Sequence, residues 1–239
     1  MTDSGPSKIL ELNGIDASYG HARILRAIEL SVQERAVVAL LGANGAGKTT
    51  LLRVASGLLR PTTGEVRLGG KVVTRNPSHA RARGGLCHIT EGRSIFRSLS
   101  VRDNLELAIP PWSKDSEFDR ATTVFPKLAD RLRQTAGSLS GGEQQMLALA
   151  RAFLSDPAVV LVDELSMGLA PVVVDELFEA LERLAASGVA ILLVEQYVTR
   201  AIAMADYVYL MSKGQITFSG PANEVDQDEV MRTYLGASV

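Results

Sequence analysis

Nine residues, Gly42-Ala43-Asn44-Gly45-Ala46-Gly47-Lys48-Thr49-Thr50, carry the strongest chemical signal in the chain. Glycines at this spacing let a loop curl until successive backbone N–H groups point at one centre, a shape suited to phosphate oxygens. Lys48 adds a cation for the terminal phosphates, and the Thr49 hydroxyl is an oxygen ligand for magnesium. A second set is Asp163-Glu164, two carboxylates ending the apolar run Val159-Val160-Leu161-Val162. Asp163 there could hold magnesium through its water shell, while Glu164 polarises a water against the γ-phosphate as general base. Acidic residues at strand ends also cap helices, and it is the phosphate loop that favours catalysis here. A third set is Leu139-Ser140-Gly141-Gly142-Glu143-Gln144-Gln145. Ser140 suits an N-cap, and Gly141 and Gly142 leave backbone N–H groups open before a helix over 143–154. This turn reads either as a second anion site or as a plain capped helix. Two phosphate-facing helix starts of such different sequence suggest a nucleotide held between two subunits.

These groups need a scaffold, and the apolar patterning supplies one. Residues 37–41 form a continuous apolar run, as expected for a strand buried on both faces. A helix follows from Lys48 and stops between Gly57 and Pro61. Residues 9–18 and 28–32 alternate as antiparallel strands, with Asn13-Gly14 as their expected turn. Residues 65–73 read as a hairpin turning at Gly69-Gly70. Residues 159–163 and 189–194 are buried parallel strands, each preceded by a helix, and Leu177, Phe178, Leu181, Leu184 and Ala185 form a core-facing helical stripe. Residues 207–211 and 215–219 make a last hairpin around Ser212-Lys213-Gly214. Between the nucleotide loop and the acidic strand, residues 93–155 read as a mostly helical insertion, with a capping box at Ser100 and Asp103 and a break at Pro110-Pro111. The expected fold class is α/β: a P-loop NTPase core with an antiparallel β subdomain and an inserted α-helical subdomain. Residues 1–8 are expected to be a disordered tail and residues 9–239 a single domain.

Composition narrows the function. Of 239 residues, 46% are hydrophobic and 22% charged, near globular averages, so the bulk should fold. A formal charge of −2 argues against a general nucleic-acid binder, which usually needs a basic face. No apolar run approaches the roughly 18 residues of a membrane span, and the first seven residues lack a signal-peptide core. Cys87 is the single cysteine, which fits a reducing cytosol. His21, His79 and His88 show no metal-ligand spacing. Arg81, Arg83, Arg93, Arg97 and Arg102 give a mildly basic middle region, read most simply as a solvated face and otherwise as a docking surface. Trp112 beside Pro110-Pro111 is either core or contact.

Together these motifs resemble the ABC-type ATPases, the nucleotide-binding subunits of ATP-binding-cassette transporters, over essentially everything beyond residue 8. The phosphate loop is residues 42–49, the signature residues 139–145 and the acidic strand residues 159–164. Within the family the chain is most similar to the branched-chain amino-acid importer ATPases. That likeness rests on Thr90-Glu91-Gly92-Arg93-Ser94-Ile95-Phe96, on Glu143-Gln144-Gln145-Met146-Leu147-Ala148, on Ser166-Met167-Gly168-Leu169-Ala170-Pro171 and on Val194-Glu195-Gln196. The resemblance implies ATP and Mg2+ as ligands. It implies Tyr19 as the ring that stacks on adenine, and Gly42, Asn44, Gly45, Ala46, Gly47, Lys48, Thr49 and Thr50 around the phosphates. It implies Ser140, Gly141, Gly142 and Glu143 facing the nucleotide of a neighbouring subunit, and Gln196 at the place of the family's switch histidine. Glu91 stands where many members have a glutamine that contacts magnesium, so Thr49, Glu91 and Asp163 form the implied metal set. The implied partners are transmembrane permease subunits, docked near the Glu91 segment, a second ABC ATPase subunit, homo- or heterodimeric, and indirectly an external substrate-binding protein. The implied location is the cytoplasmic side, peripheral on the inner face of the cell membrane. A soluble ABC ATPase of a cytosolic assembly machine, or a transporter subunit for urea, amides or lipid, are the alternatives. Leu165 replaces the proline usual after the catalytic glutamate, Arg35-Ala36 replaces a usual Gly-Glu turn, and Thr90 stands where proline is common.

Overall fold

The computed structural model describes residues 7–92, 94–111, 118–225 and 230. It runs from β1 (Lys8–Tyr19), β2 (Ala22–Gln33) and β3 (Val37–Leu41) into α1 (Lys48–Ser56). Then come β4 (Thr63–Leu68), β5 (Lys71–Val72), α2 (Ser78–Arg83) and β6 (Leu86–Ile89). A helical stretch follows, with α3 (Val101–Glu106), α4 (Phe118–Val124), α5 (Pro126–Ala129) and α6 (Gly141–Leu154). The chain returns through β7 (Val159–Asp163), α7 (Pro171–Ala186), β8 (Ala190–Val194), α8 (Val198–Met204), β9 (Tyr207–Ser212) and β10 (Gln215–Pro221).

Two sheets result. The first is antiparallel, in the order β2-β1-β4-β5; the second is β10-β9-β3-β8-β7-β6, parallel except for β10. Every residue of β3, β7 and β8 is buried, because both faces of this sheet are covered. The two-residue period of a strand divides their side chains between two cores. Val38, Leu40, Leu161 and Leu192 pack with α1 and the antiparallel sheet, whereas Val37, Ala39, Leu41, Val162 and Leu193 pack with the helices of the other face. Leu177, Phe178, Leu181 and Leu184 of α7 fill that second core as their spacing implied, with Ala185 at its margin.

Several expectations are corrected. Asn13-Gly14 is not a hairpin turn. β1 runs through it with a register shift between Leu12 and Ile15, and the chain reverses at Gly20-His21, between paired Tyr19 and Ala22. Gly14 has φ 60°, so its freedom serves an irregularity inside a strand instead of a turn. β1 begins at Lys8, inside the segment read as tail, and the Ser7 carbonyl accepts from the Glu34 N–H at 2.8 Å. Arg81 does not belong to a solvated basic face. It is 1% exposed, and its Nη1 donates to the carbonyls of Val54 and Ala55, both at 2.7 Å. It also donates to Thr74 O and Asn76 O, so one guanidinium closes the C-terminal end of α1 against the loop before α2. Arg83, Arg97 and Arg102 are exposed, while Arg93, Trp112 and the first six residues lie outside the described residues. The hairpins at Gly69-Gly70 and Lys213-Gly214 and the capping box of Ser100 with Asp103 are where the sequence placed them.

Candidate nucleotide-hydrolysis site

The loops after β3 and β7 meet at one cavity of about 330 Å³, lined by Ile24, Asn44, Gly45, Gly47, Lys48, Thr49, Thr50 and Glu164. Open parallel sheets place ligands at this end of their strands. Gly45 and Gly47 have φ of 80° and 110°, values a side chain strains against, and a Cβ on Gly47 would meet Met211 Cε at 2.9 Å. Gly47 is also the N-cap of α1, which has no side-chain cap, so the first N–H groups of that helix face the cavity chemistry unsatisfied by a side chain. Lys48 is only 4% exposed. Its ammonium donates to Gly42 O at 2.7 Å and Ala43 O at 3.2 Å and lies 3.7 Å from Glu164 Oε1. Burial lowers the Lys48 pKa, and the negative charge of Glu164 works against that shift.

Asp163 and Glu164 diverge although they are adjacent. The Asp163 carboxylate is 1% exposed, and burial raises its pKa to about 6, with the charges of Glu164 and Glu91 adding to the rise. The Thr49 hydroxyl donates to Asp163 Oδ1 at 3.1 Å and opposes the shift. A hydroxyl and a buried carboxylate held together at the phosphate loop form a hard-oxygen pair that fits magnesium, whose charge would offset the burial of Asp163. Glu164 turns the other way because its φ is 49°, in the left-handed region that non-glycine residues occupy at a cost of roughly 1–2 kcal/mol. The turn is held by its N–H, which donates to Val194 O at 2.9 Å, and by Leu165, fully buried in the core. Leu165 thus anchors this turn by packing. The Gln196 side-chain amide donates to Glu164 Oε2 at 3.0 Å, so Lys48 and Gln196 flank the same carboxylate.

The remaining candidates sit apart from this cluster. Tyr19, at the end of β1, is half exposed, and its hydroxyl accepts from Arg53 of α1 at 3.2 Å. Gly42 and Ala46 are buried in the loop behind the cavity lining. Glu91 is exposed and is linked to Asp163 through charge. Ser140, Gly142 and Glu143 line a different cavity, with Arg131, Lys127 and Glu176. There the capping box is complete: the Ser140 hydroxyl accepts from the Glu143 N–H, and Glu143 Oε2 accepts from the Ser140 N–H at 2.8 Å. Glu143 also pairs with Arg131 at 3.1 Å, so its carboxylate serves the cap and this ion pair. The helix begins at Gly141, two residues earlier than expected, and a Cβ on Gly142 would meet Val173 Cγ1 at 2.1 Å, so α6 and α7 touch through a glycine.

Three residues near the site had no role assigned to them from the sequence. Ile24 lines the phosphate cavity from β2, and Arg53 holds Tyr19. Glu195 is fully buried beside Gln196, and its one visible signal was a carboxylate abutting the all-apolar run of β8.

Known proteins place this arrangement. The ABC transporter family model matches residues 25–166. The high-affinity branched-chain amino acid transport ATP-binding protein BraG of Pseudomonas aeruginosa is 36% identical over 232 residues, covering 95% of this chain and 100% of that one. The lipopolysaccharide export system ATP-binding protein LptB of Escherichia coli is 34% identical over 233 residues, covering 95% and 97%. Among solved structures, an ATP-binding cassette of an ABC transporter in its ADP conformation superposes with a TM-score of 0.82 at 25% identity, covering 96% of this chain and 99% of that one. A phosphate loop, an acidic strand end and a capped glycine helix on this scaffold agree with every one of these likenesses: the chain belongs to the ABC transporter family, as an ATP-binding, ATP-hydrolysing subunit.

Proposed function

We propose that the chain hydrolyses ATP at the cluster of Lys48, Thr49, Asp163, Glu164 and Gln196, and that this powers an importer for branched-chain or related amino acids. The observation that carries the site is the Glu164 carboxylate, held between the Lys48 ammonium and the Gln196 amide at the mouth of the phosphate loop. The loop N–H groups from Gly45 to Thr50 and the start of α1 receive the β- and γ-phosphates. Lys48 exchanges Glu164 for phosphate oxygens, which frees Glu164 Oε1 to accept a proton from the attacking water. Gln196 keeps the other carboxylate oxygen fixed, and its own amide faces the γ-phosphate. As the water loses its proton to Glu164, its oxygen bonds to the γ-phosphorus and ADP departs. Thr49 and Asp163, with Glu91 beside them, would hold magnesium, which neutralises phosphate charge when bound.

The signature turn lines a cavity that shares no residue with the phosphate cavity, which supports a head-to-tail pair of subunits. Ser140, Gly141 and Gly142 of one subunit would then complete the nucleotide site of the other, whether the partner is a second copy or a similar chain. Tyr19 stacks on adenine in this reading. Among the described residues no helix is long and apolar enough to cross a membrane, so transport needs separate permease subunits. The chain sits on the cytoplasmic face, docked through the segment after Glu91, and an external binding protein delivers the cargo.

The amino-acid reading rests on the Glu91-Gly92-Arg93 and Glu195-Gln196 segments and on the branched-chain transport relative. Solubilising membranes in mild detergent, capturing the tagged chain and reconstituting the assembly in vesicles tests it. Co-purification with a permease and ATP-dependent uptake of labelled leucine are expected. Absence of any membrane partner contradicts the transport reading, and movement of lipid or lipopolysaccharide instead contradicts the cargo.

A further inference from the structure

Glu195 directly follows β8 and is 0% exposed. A buried carboxylate is costly unless donors surround it. Here the Ser166 N–H donates to Oε1 at 3.1 Å, the Ser166 hydroxyl donates to Oε2, and the Gln196 N–H donates to Oε2 at 3.3 Å. Ser166 is itself 1% exposed. One buried carboxylate therefore ties the segment two residues after Glu164 to the backbone of Gln196. Glu164 is bracketed on every side: its N–H by Val194 O, its carboxylate by the Gln196 amide, and the turn beyond it by Glu195. Packing alone does not call for this arrangement, since an apolar residue at 195 would fill the interior without a desolvated charge. A left-handed conformation at Glu164 persists only where its surroundings over-determine it.

We propose that Glu195 is a positioning residue for ATP hydrolysis, clamping Ser166 and the Gln196 backbone so that the Gln196 amide and the Glu164 carboxylate meet the water in one geometry. The inference rests on the assignment of Glu164 as general base. Neither Glu195 nor Ser166 lines the phosphate cavity, so the clamp acts on turnover and leaves nucleotide affinity alone. Small misplacements of a reacting group cost one to two orders of magnitude in rate, which sets the size of the effect.

The test measures steady-state ATPase rates, equilibrium ATP–magnesium affinity and thermal melting in the full chain. Glu195→Ala should lower kcat by about tenfold or more while KM and the ATP Kd stay within about twofold. Glu195→Gln keeps one acceptor for the Ser166 N–H and should fall between Ala and wild type. Because Glu195 acts partly through Gln196 and partly through Ser166, the Glu195→Ala/Gln196→Ala double variant should lose less than the product of the two single losses. A wild-type kcat in Glu195→Ala, a loss confined to KM, or losses that multiply in the double variant would each overturn the proposal. If Glu195→Ala does not fold, Ser166→Ala carries the test: it removes one of the donors and should lower kcat by about threefold at constant KM, and an unchanged kcat overturns the clamp. Glu164→Gln separates the two claims. Normal turnover there refutes the base assignment, whereas a dead Glu164→Gln beside a normal Glu195→Ala refutes the clamp alone.

Discussion

Gln196 donates its side-chain amide to Glu164 Oε2 at 3.0 Å, across 32 residues of sequence and from just beyond the neighbouring strand. The resemblance placed Gln196 where the family carries its switch histidine; the fold places it against the candidate base. An amide has two N–H groups and an oxygen, so it can hold the carboxylate and still offer a neutral hydrogen bond to phosphate.

Gln196→Ala should therefore lower hydrolysis more than tenfold, at least about 1.4 kcal/mol of transition-state stabilisation. Gln196→His keeps a donor of similar reach and should be tolerated better. Gln196→Glu sets a carboxylate against Glu164 and should be the worst of the three. Maximal ATPase rates of the three variants check the order, and a wild-type rate in Gln196→Ala refutes the role.

Lys48→Ala removes the charge proposed to face the phosphates together with the bonds that hold Gly42 O and Ala43 O. It should abolish hydrolysis and weaken ATP binding, because charge-assisted hydrogen bonds are about twice as strong as neutral ones. Full activity in the purified variant would move the nucleotide site elsewhere.

How much of this was legible beforehand depended on distance along the chain. The phosphate loop could be read because its glycines answer a local backbone demand, and β3, β7 and β8 because unbroken apolar runs mark strands covered on both faces. Asn13-Gly14 misled because the freedom that makes a hairpin turn also makes a bulge. β6 stayed hidden because Cys87 and His88 interrupt its apolar pattern. Arg81 looked like surface charge because its partners, Val54 and Ala55, lie 27 and 26 residues away. The Glu195–Ser166 contact spans 29 residues and has no local signature.

Arg81→Leu should destabilise the chain by on the order of 3 kcal/mol, since it removes the buried guanidinium donors from the Val54 and Ala55 carbonyls and leaves Val54 O with the Gly57 N–H alone. Arg81→Lys should recover part of the loss, as an ammonium reaches fewer of the four acceptors. Urea unfolding gives the midpoints, and an Arg81→Leu midpoint equal to wild type contradicts the closure described here.

His88 should make stability depend on pH. Burial and the charge of Arg53 lower its pKa to about 4 from 6.5; Nδ1 meets Ser56 Oγ at 3.0 Å, and Nε2 is buried with no hydrogen-bond partner among the described residues. Between those values the unfolded chain binds more protons than the folded one, so stability falls as pH drops through that window. The full loss is on the order of 3 kcal/mol. Melting curves from pH 7 to pH 4 should show a smaller decline for His88→Gln than for wild type. Parallel declines would remove His88 as the cause.

The central claim is that Glu164 takes the proton of the attacking water. Glu164→Gln keeps the shape and the neighbourhood of Lys48 and Gln196 but cannot accept that proton. The decisive measurement is single-turnover hydrolysis of ATP with magnesium by Glu164→Gln, with light scattering on the same sample. The account predicts retained ATP binding, a hydrolysis rate lowered by about a thousandfold, and a dimer trapped by unhydrolysed ATP. Turnover at the wild-type rate, with the variant binding ATP normally, would contradict it.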